Sequence, residues 1–317
     1  IVQCTGVGTL SLVLRLGDKI SIRQYGATGD GVTDDTGAFD SAINLYNKTI
    51  VMEDGAYLVN NIDIKSETTI EGTLLAFMYC STASGAIFLA DTTAGDVTNI
   101  RLKGFAAGVN GSLTGCAFIR QTSMTNYYSY GQFEDIETFK DFLISYDIYP
   151  IYTTWVNGRD GFQGNFKGPT HQAVSCIPAD PAQAKTTNAN SMYNFKSFGS
   201  DATLGAMTIQ QGFNWTFYGC AWEKNLTCRA VHALGIIGLN FFGCYFESNG
   251  ANEQIFCSVT TGINAQGTRP VVVKGCHVRM DLTTGVFITF GSGSRGSVTS
   301  TVFTDLSNSG VVMTNTS

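Results

Sequence analysis

Ala38, Phe39, Ala42, Ile43 and Tyr46 fall at the spacing of one apolar helical face, and Asp35 or Thr36 stands where a cap would start it. The spacing predicts a helix over 36–47. No later segment keeps that period. The rest of the chain is composed of short runs of Val, Ile, Phe, Thr and Tyr, closed off by Gly, Asn, Asp and Ser, with only 5 prolines in all. That is the pattern of an all-β protein. The longest apolar runs, such as 10–16 and 271–273, are interrupted within a few residues by Arg, Lys or Gly, so no transmembrane helix is expected.

The strands repeat late in the chain. Phe217-Tyr218-Gly219-Cys220-Ala221-Trp222-Glu223 returns 24 residues on as Phe241-Phe242-Gly243-Cys244-Tyr245-Phe246-Glu247, and 32 residues later as Val273-Lys274-Gly275-Cys276-His277-Val278-Arg279. Three Gly-Cys pairs in one register, with a period that stretches, suit a parallel β-helix whose strands are fixed and whose turns vary in length. Strict alternation would send Tyr218, Cys220 and Trp222 inward, followed by Phe242, Cys244 and Phe246, then Cys276, Val278 and Met280. Glu223, Tyr245, Glu247, His277 and Arg279 would face out.

Composition narrows the picture. Charged residues make up 14% of the 317, against about 25% in an average domain, and Gly reaches 36. The surface is therefore expected to be Ser, Thr, Asn and Gly. Net charge is −6 without a Lys or Arg cluster, which argues against nucleic acid or an anionic membrane as partner. The 9 cysteines are odd in number and read as free, buried thiols stacked in a narrow core rather than as a disulfide framework. The chain opens at Ile1 without methionine or signal peptide. On this reading 1–19 is the end of an upstream region or a linker, 20–300 the solenoid, and 301–317 its C-terminal end or a tail.

The stretch Ile20-Ser21-Ile22-Arg23-Gln24-Tyr25-Gly26-Ala27-Thr28-Gly29-Asp30-Gly31-Val32-Thr33-Asp34-Asp35-Thr36-Gly37-Ala38-Phe39 resembles the N-terminal signature of the pectate-lyase-like right-handed β-helix superfamily. Val51–Val59 looks like the first strand after the helix, with Asp54 where that family usually has Pro. The resemblance implies a right-handed, single-stranded parallel β-helix closed by a short N-terminal helix. The low-charge, Asn- and Gly-rich coils and the Gly243-Cys244-Tyr245-Phe246-Glu247-Ser248-Asn249 segment look most like bacteriophage tailspike and tail-fibre proteins. That likeness implies a homotrimer on the phage tail, with an upstream virion-anchoring region, binding a bacterial surface polysaccharide (capsule, exopolysaccharide or O-antigen) and often cleaving it. Gly-His-Gly, Arg-Ile-Lys and the clustered aspartates of calcium-dependent lyases, motifs of pectinases of this fold, are absent from the sequence.

Glycoside hydrolysis needs two carboxyl groups, about 5–5.5 Å apart for retention and about 6.5–9.5 Å for inversion. Glu223 and Glu247, one repeat apart on the outward face, are the candidates. Neighbouring coils stack at about 4.8 Å, close to that range. Arg279 is next in the column and would hold one carboxylate ionised; Tyr245 and His277 share the face and would contact sugar. The same Glu, Glu, Arg column also describes a structural ion-pair ladder. Glu134, Glu137, Asp160, Asp201 and Asp281 are further acids. Trp155-Val156-Asn157-Gly158-Arg159-Asp160-Gly161-Phe162 reads as a polar loop that grips glycan through Trp155, Arg159 and Asp160, or as a turn with packed aromatics. Two rivals remain: a non-catalytic receptor-binding protein on the same fold, and a lyase in which His277 or Tyr245 removes a proton beside a uronate carboxylate neutralised by Arg279. His171, His232 and His277 are scattered and no Cys-x-x-Cys occurs, so neither a metal nor another cofactor is expected.

Overall fold

The computed structural model describes residues 19–45, 49–73, 75–110, 115–123, 126–139, 142–161, 172–177, 187–200, 204–225, 228–247, 249, 253–259, 266–280, 286–304 and 313–315. It is a right-handed parallel β-helix. Each strand pairs in parallel with its counterpart one coil away, so a single column runs from Thr49–Met52 through Thr69–Gly72, Arg101–Lys103, Gln132–Glu134, Thr154–Val156, Thr187–Tyr193, Gly205–Tyr218 and Arg229–Phe242 to Val271–Lys274 and Gly296–Thr299. A second, 11-stranded sheet stacks beside it. Coils continue beyond residue 300, where Val302–Thr304 pairs with His277–Arg279 and Met313–Asn315 pairs with Val286–Phe290.

The helix spans Thr36–Leu45, and Tyr46, the last position of its expected apolar face, lies outside the described residues. Ala38, Phe39, Ala42 and Ile43 are buried, with Phe39 edge-on to Tyr57. Asp35 stands at the expected cap position, its carbonyl accepting from the amides of Ala38 at 3.0 Å and Phe39 at 3.3 Å, but its side chain does not cap the first turn. Asp34 Oδ1 accepts from the Thr36 amide at 3.0 Å. Asp35 instead turns back to hold the preceding loop, accepting from the amides of Thr28 at 2.7 Å and Gly29 at 3.1 Å.

The two sheets meet at a corner built from one left-handed residue per coil. Asp135, Asn157 and Asn194 occupy it with φ of 53°, 53° and 51°, and Gly219, Gly243 and Gly275 continue it at 60°, 61° and 66°. Asn157 Nδ2 donates to Asp135 Oδ1 at 3.1 Å, and Asn194 Nδ2 donates to Asn157 Oδ1 at 3.2 Å. Asn and Gly are the residues that enter this region at least cost. At Gly219 a Cβ would stand 2.8 Å from Asn194 Oδ1, so the amide ladder gives way to glycine there.

This corner resets the side-chain alternation. Phe217, Phe241 and Val273 point inward before it, and Cys220, Cys244 and Cys276 after it. Tyr218, expected inside, is 40% exposed, and Phe242 is half-buried. After the corner the parity holds: Trp222, Phe246 and Val278 are buried, and Trp222 lies on Phe246 with ring centroids 5.0 Å apart. Every described cysteine is free and buried. The Cys244 amide donates to Cys276 Sγ at 3.4 Å, and contact with the Cys220 thiol pushes the Cys244 thiol up. All three should therefore resist a water-soluble thiol reagent in the native protein and react once it is denatured. Rapid native labelling of all three would contradict the stack.

His232 carries a pH dependence. Burial, and secondarily the Arg229 guanidinium, push its imidazole down to about 4, and its Nδ1 has no hydrogen-bond partner. The unfolded imidazole protonates near its ordinary value of about 6.5, so between there and about 4 the unfolded chain holds the extra proton. Stability present above that window should fall as pH drops through it, by a few kcal/mol at most. Denaturation midpoints from about pH 7 to about pH 4 should show this slope in the wild type and a flatter one in His232→Gln. Equal slopes would contradict the assignment.

Candidate functional site

The strands Ala221–Glu223, Tyr245–Glu247 and His277–Arg279 stack in register. Trp222, Phe246 and Val278 form the inward column, flanked by Ala221, Tyr245 and His277 on one side and Glu223, Glu247 and Arg279 on the other. The alternation of a three-residue strand leaves no other outcome once the middle position is apolar.

Glu247 is the organised acid. Its Oε1 accepts from Arg279 Nη1 at 2.6 Å and its Oε2 accepts from the Tyr245 hydroxyl at 2.9 Å. Burial and the hydrogen bond to that carboxylate both raise Tyr245 above its ordinary value, so its proton stays in place to be donated. The Glu223 carboxyl, one ladder step away, has no ion pair or hydrogen bond among the described residues, although its backbone carbonyl accepts from the Gly199 amide at 3.1 Å. His277 is exposed, packs edge-on to Tyr245 at 5.3 Å, and its Nε2 lies 3.1 Å from Thr304 Oγ1. The structure thus assembles Glu223, Glu247, Tyr245, His277 and Arg279 on one outer surface.

The other three expected contacts separate. Trp155 is fully buried, because Thr154–Val156 is a strand whose central position continues the inward column of Phe133 and Met192. It is a core residue and cannot grip a glycan. Asp160 is also buried. It sits in the inward column between Thr138 and Ser197 and accepts from Thr138 Oγ1 at 2.8 Å and Ser145 Oγ at 2.6 Å, so it is an interior polar anchor without access to sugar. Arg159 alone stays outside. It shares the column of Lys196, Ala221, Tyr245 and His277, three ladder steps from Tyr245, about 14 Å along the axis. Of the alternative acids, Glu134 pairs with Arg101 and Lys103, and Glu137 lies in register with Arg159. Asp201 and Asp281 lie outside the described residues.

Sequence reasoning missed a row of aromatic rings just before the corner. Tyr193, Tyr218 and Phe242 occupy one register position on consecutive coils. Their rings stack at 5.0 Å and 5.3 Å, 7° and 24° from parallel. Tyr193 and Tyr218 are among the exposed large hydrophobics. The aromatic-Gly pairs of the repeat carried the signal, but alternation through the left-handed glycine assigned them to the core. Among the described residues no group of three or more His, Cys, Asp or Glu converges.

Comparison with known proteins agrees with this architecture. Residues 19–123 match the family described as rhamnogalacturonase A/epimerase, pectate lyase-like. No curated protein sequence matches the chain significantly. Among solved structures, the tailspike protein of Acinetobacter phage vB_ApiP_P1 superimposes with a TM-score of 0.64 at 14% identity, covering 90% of this chain and 59% of that one. The gp42 tailspike of Acinetobacter phage vb_AbaP_AS12 gives 0.53 at 15%, covering 95% and 62%. PfbA, a surface adhesin of Streptococcus pneumoniae, gives 0.51 at 13%, covering 90% of each chain. The chain therefore spans less than two thirds of the length of either tailspike. At these identities the likeness to solved structures is one of fold; the family match over residues 19–123 is what bears out the resemblance of residues 20–39 to the pectate-lyase-like signature.

Proposed function

We propose that this chain is the glycan-binding and glycan-cleaving part of a phage tailspike, acting at the bacterial surface as an endo-glycosidase. One observation carries the reading: two glutamates stand one ladder step apart on an outer face, and only one of them is matched with a cation and a hydroxyl donor. Their strands are about 4.8 Å apart, which suits the closer, retaining arrangement of two carboxyl groups.

In this scheme Glu223 donates its proton to the glycosidic oxygen as the bond to the anomeric carbon breaks. Glu247, its charge balanced by Arg279 and its second oxygen held by Tyr245, forms the new bond to that carbon. Water then attacks the same carbon, gives its proton to Glu223, and releases Glu247 as carboxylate. Tyr245 and His277 line the surface on which the sugar lies. The tailspike reading also brings a homotrimer and an upstream virion-anchoring region.

A second reading, a non-catalytic receptor binder, is favoured by the other cross-coil ion pairs. Arg101 and Lys103 with Glu134, Arg120 with Asp147, and Arg229 with Glu253 bridge neighbouring coils just as Arg279 and Glu247 do. Incubation with capsular polysaccharides and lipopolysaccharides from a host panel separates the possibilities. Hydrolysis releases new reducing ends without ultraviolet absorbance. Unsaturated, absorbing ends would instead establish a lyase, and binding without any product would establish the receptor alone.

A further inference from the structure

The corner at the other end of the long strand column contains three residues that rarely adopt its left-handed conformation, two of them bulky tyrosines. Asn99, Tyr130, Tyr152 and Ala189 follow one another on successive coils with φ of 58°, 56°, 51° and 50°, the amides of the first three donating to the next coil. Asn takes this conformation readily, but a tyrosine there is strained, and such strain is kept where it serves a site. The two rings stack on each other with centroids 5.1 Å apart and planes 16° from parallel. They remain 52% and 46% exposed, so the strain is not offset by burial in the core.

They border an open surface pocket of about 340 Å³, whose lining is completed by Tyr127, Ser129, Ile151 and Asn188. That volume falls in the range of small-ligand sites. The lining combines flat aromatic faces, hydroxyls and an amide, and carries no charged side chain. Ala189, the next residue in the corner column, has only a methyl group with which to cover the outer side of the stack.

From this combination we propose that Tyr130 and Tyr152 form a second, non-catalytic glycan site for a neutral oligosaccharide, which lays the apolar C–H face of a hexose or N-acetylhexosamine against the rings and hydrogen-bonds to the polar lining. The site lies N-terminal to the acids along the solenoid, the coil of Tyr152 being two coils before that of Glu223. It would hold a long chain while another part of it occupies the acid pair. The proposal rests on the reading of the chain as glycan-binding, but not on the roles of Glu223 and Glu247.

The test is binding of a panel of fluorescently tagged neutral oligosaccharides, built from hexoses and N-acetylhexosamines, to the full chain by polarisation. At least one should bind. Tyr130→Asn and Tyr152→Asn, which place a left-handed-tolerant residue in the corner, should weaken that binding at least about 10-fold while Tm stays unchanged or rises. Tyr130→Phe should stay within a few-fold. No binding of any probe to the wild type, undiminished binding in both Asn variants, or a lowered Tm would each overturn the site. So would a change in sedimentation, which would assign the rings to a contact between copies of the chain. Unchanged cleavage in Glu223→Gln would defeat the acid pair and leave this result standing.

Discussion

Replacing Trp155 by Ala should lower stability by about 3–5 kcal/mol and leave glycan recognition with no specific loss of its own. Trp155 has no accessible surface. Its ring lies 5.4 Å from Phe133, 6.0 Å from Tyr146 and 6.0 Å from Trp215, so truncation empties the centre of an aromatic cluster that spans several coils. Neighbours held by backbone ladders on both sides relax little into such a cavity, which places the cost at the upper end for large-to-small changes. Trp155→Phe should keep most of the stability, since the lost indole Nε1 has no hydrogen-bond partner. Denaturant titration of the three proteins measures this. A stable Trp155→Ala protein that had lost its glycan affinity would restore the residue to the binding surface.

That residue also shows where sequence reasoning stops. The helix was legible from periodicity within one element, and the coil repeat and the Glu223, Glu247 and Arg279 column from the return of one segment after 24 and then 32 residues. The segment from Trp155 to Asp160 was not. Asn157-Gly158 looks like the tip of a polar loop, yet Asn157 is a left-handed corner residue with φ of 53°, and it divides the segment into the strands Thr154–Val156 and Arg159–Asp160. Each strand starts its own alternation, which buries Trp155 and Asp160 and leaves Arg159 outside. The same reset at Gly219 and Gly243 turned Tyr218 and Phe242 outward. Because a glycine or asparagine in sequence does not announce the sign of its φ, parity cannot be carried across it. The pairing of Glu247 with Tyr245 and Arg279 depends on side-chain reach across coils, which spacing suggested without fixing the partners.

Glu223→Gln and Glu247→Gln should each lower polysaccharide turnover by a factor of about 100 or more. Glutamine keeps the size of the side chain and an oxygen that can accept from Tyr245, but it can neither give up a proton nor attack the anomeric carbon. Binding and Tm should barely change in either variant. A structural ladder behaves otherwise: loss of the Glu247 charge would cost no more than about 1 kcal/mol, since Arg279 is partly exposed and water screens the pair, and activity would stay within a few-fold. The decisive measurement is the rate at which new reducing ends appear from one bound bacterial polysaccharide, with the wild type and both glutamine variants assayed side by side. The catalytic pair predicts steady release by the wild type and about 1% of that rate or less from each variant at unchanged binding, whereas release at the wild-type rate by both variants would contradict it.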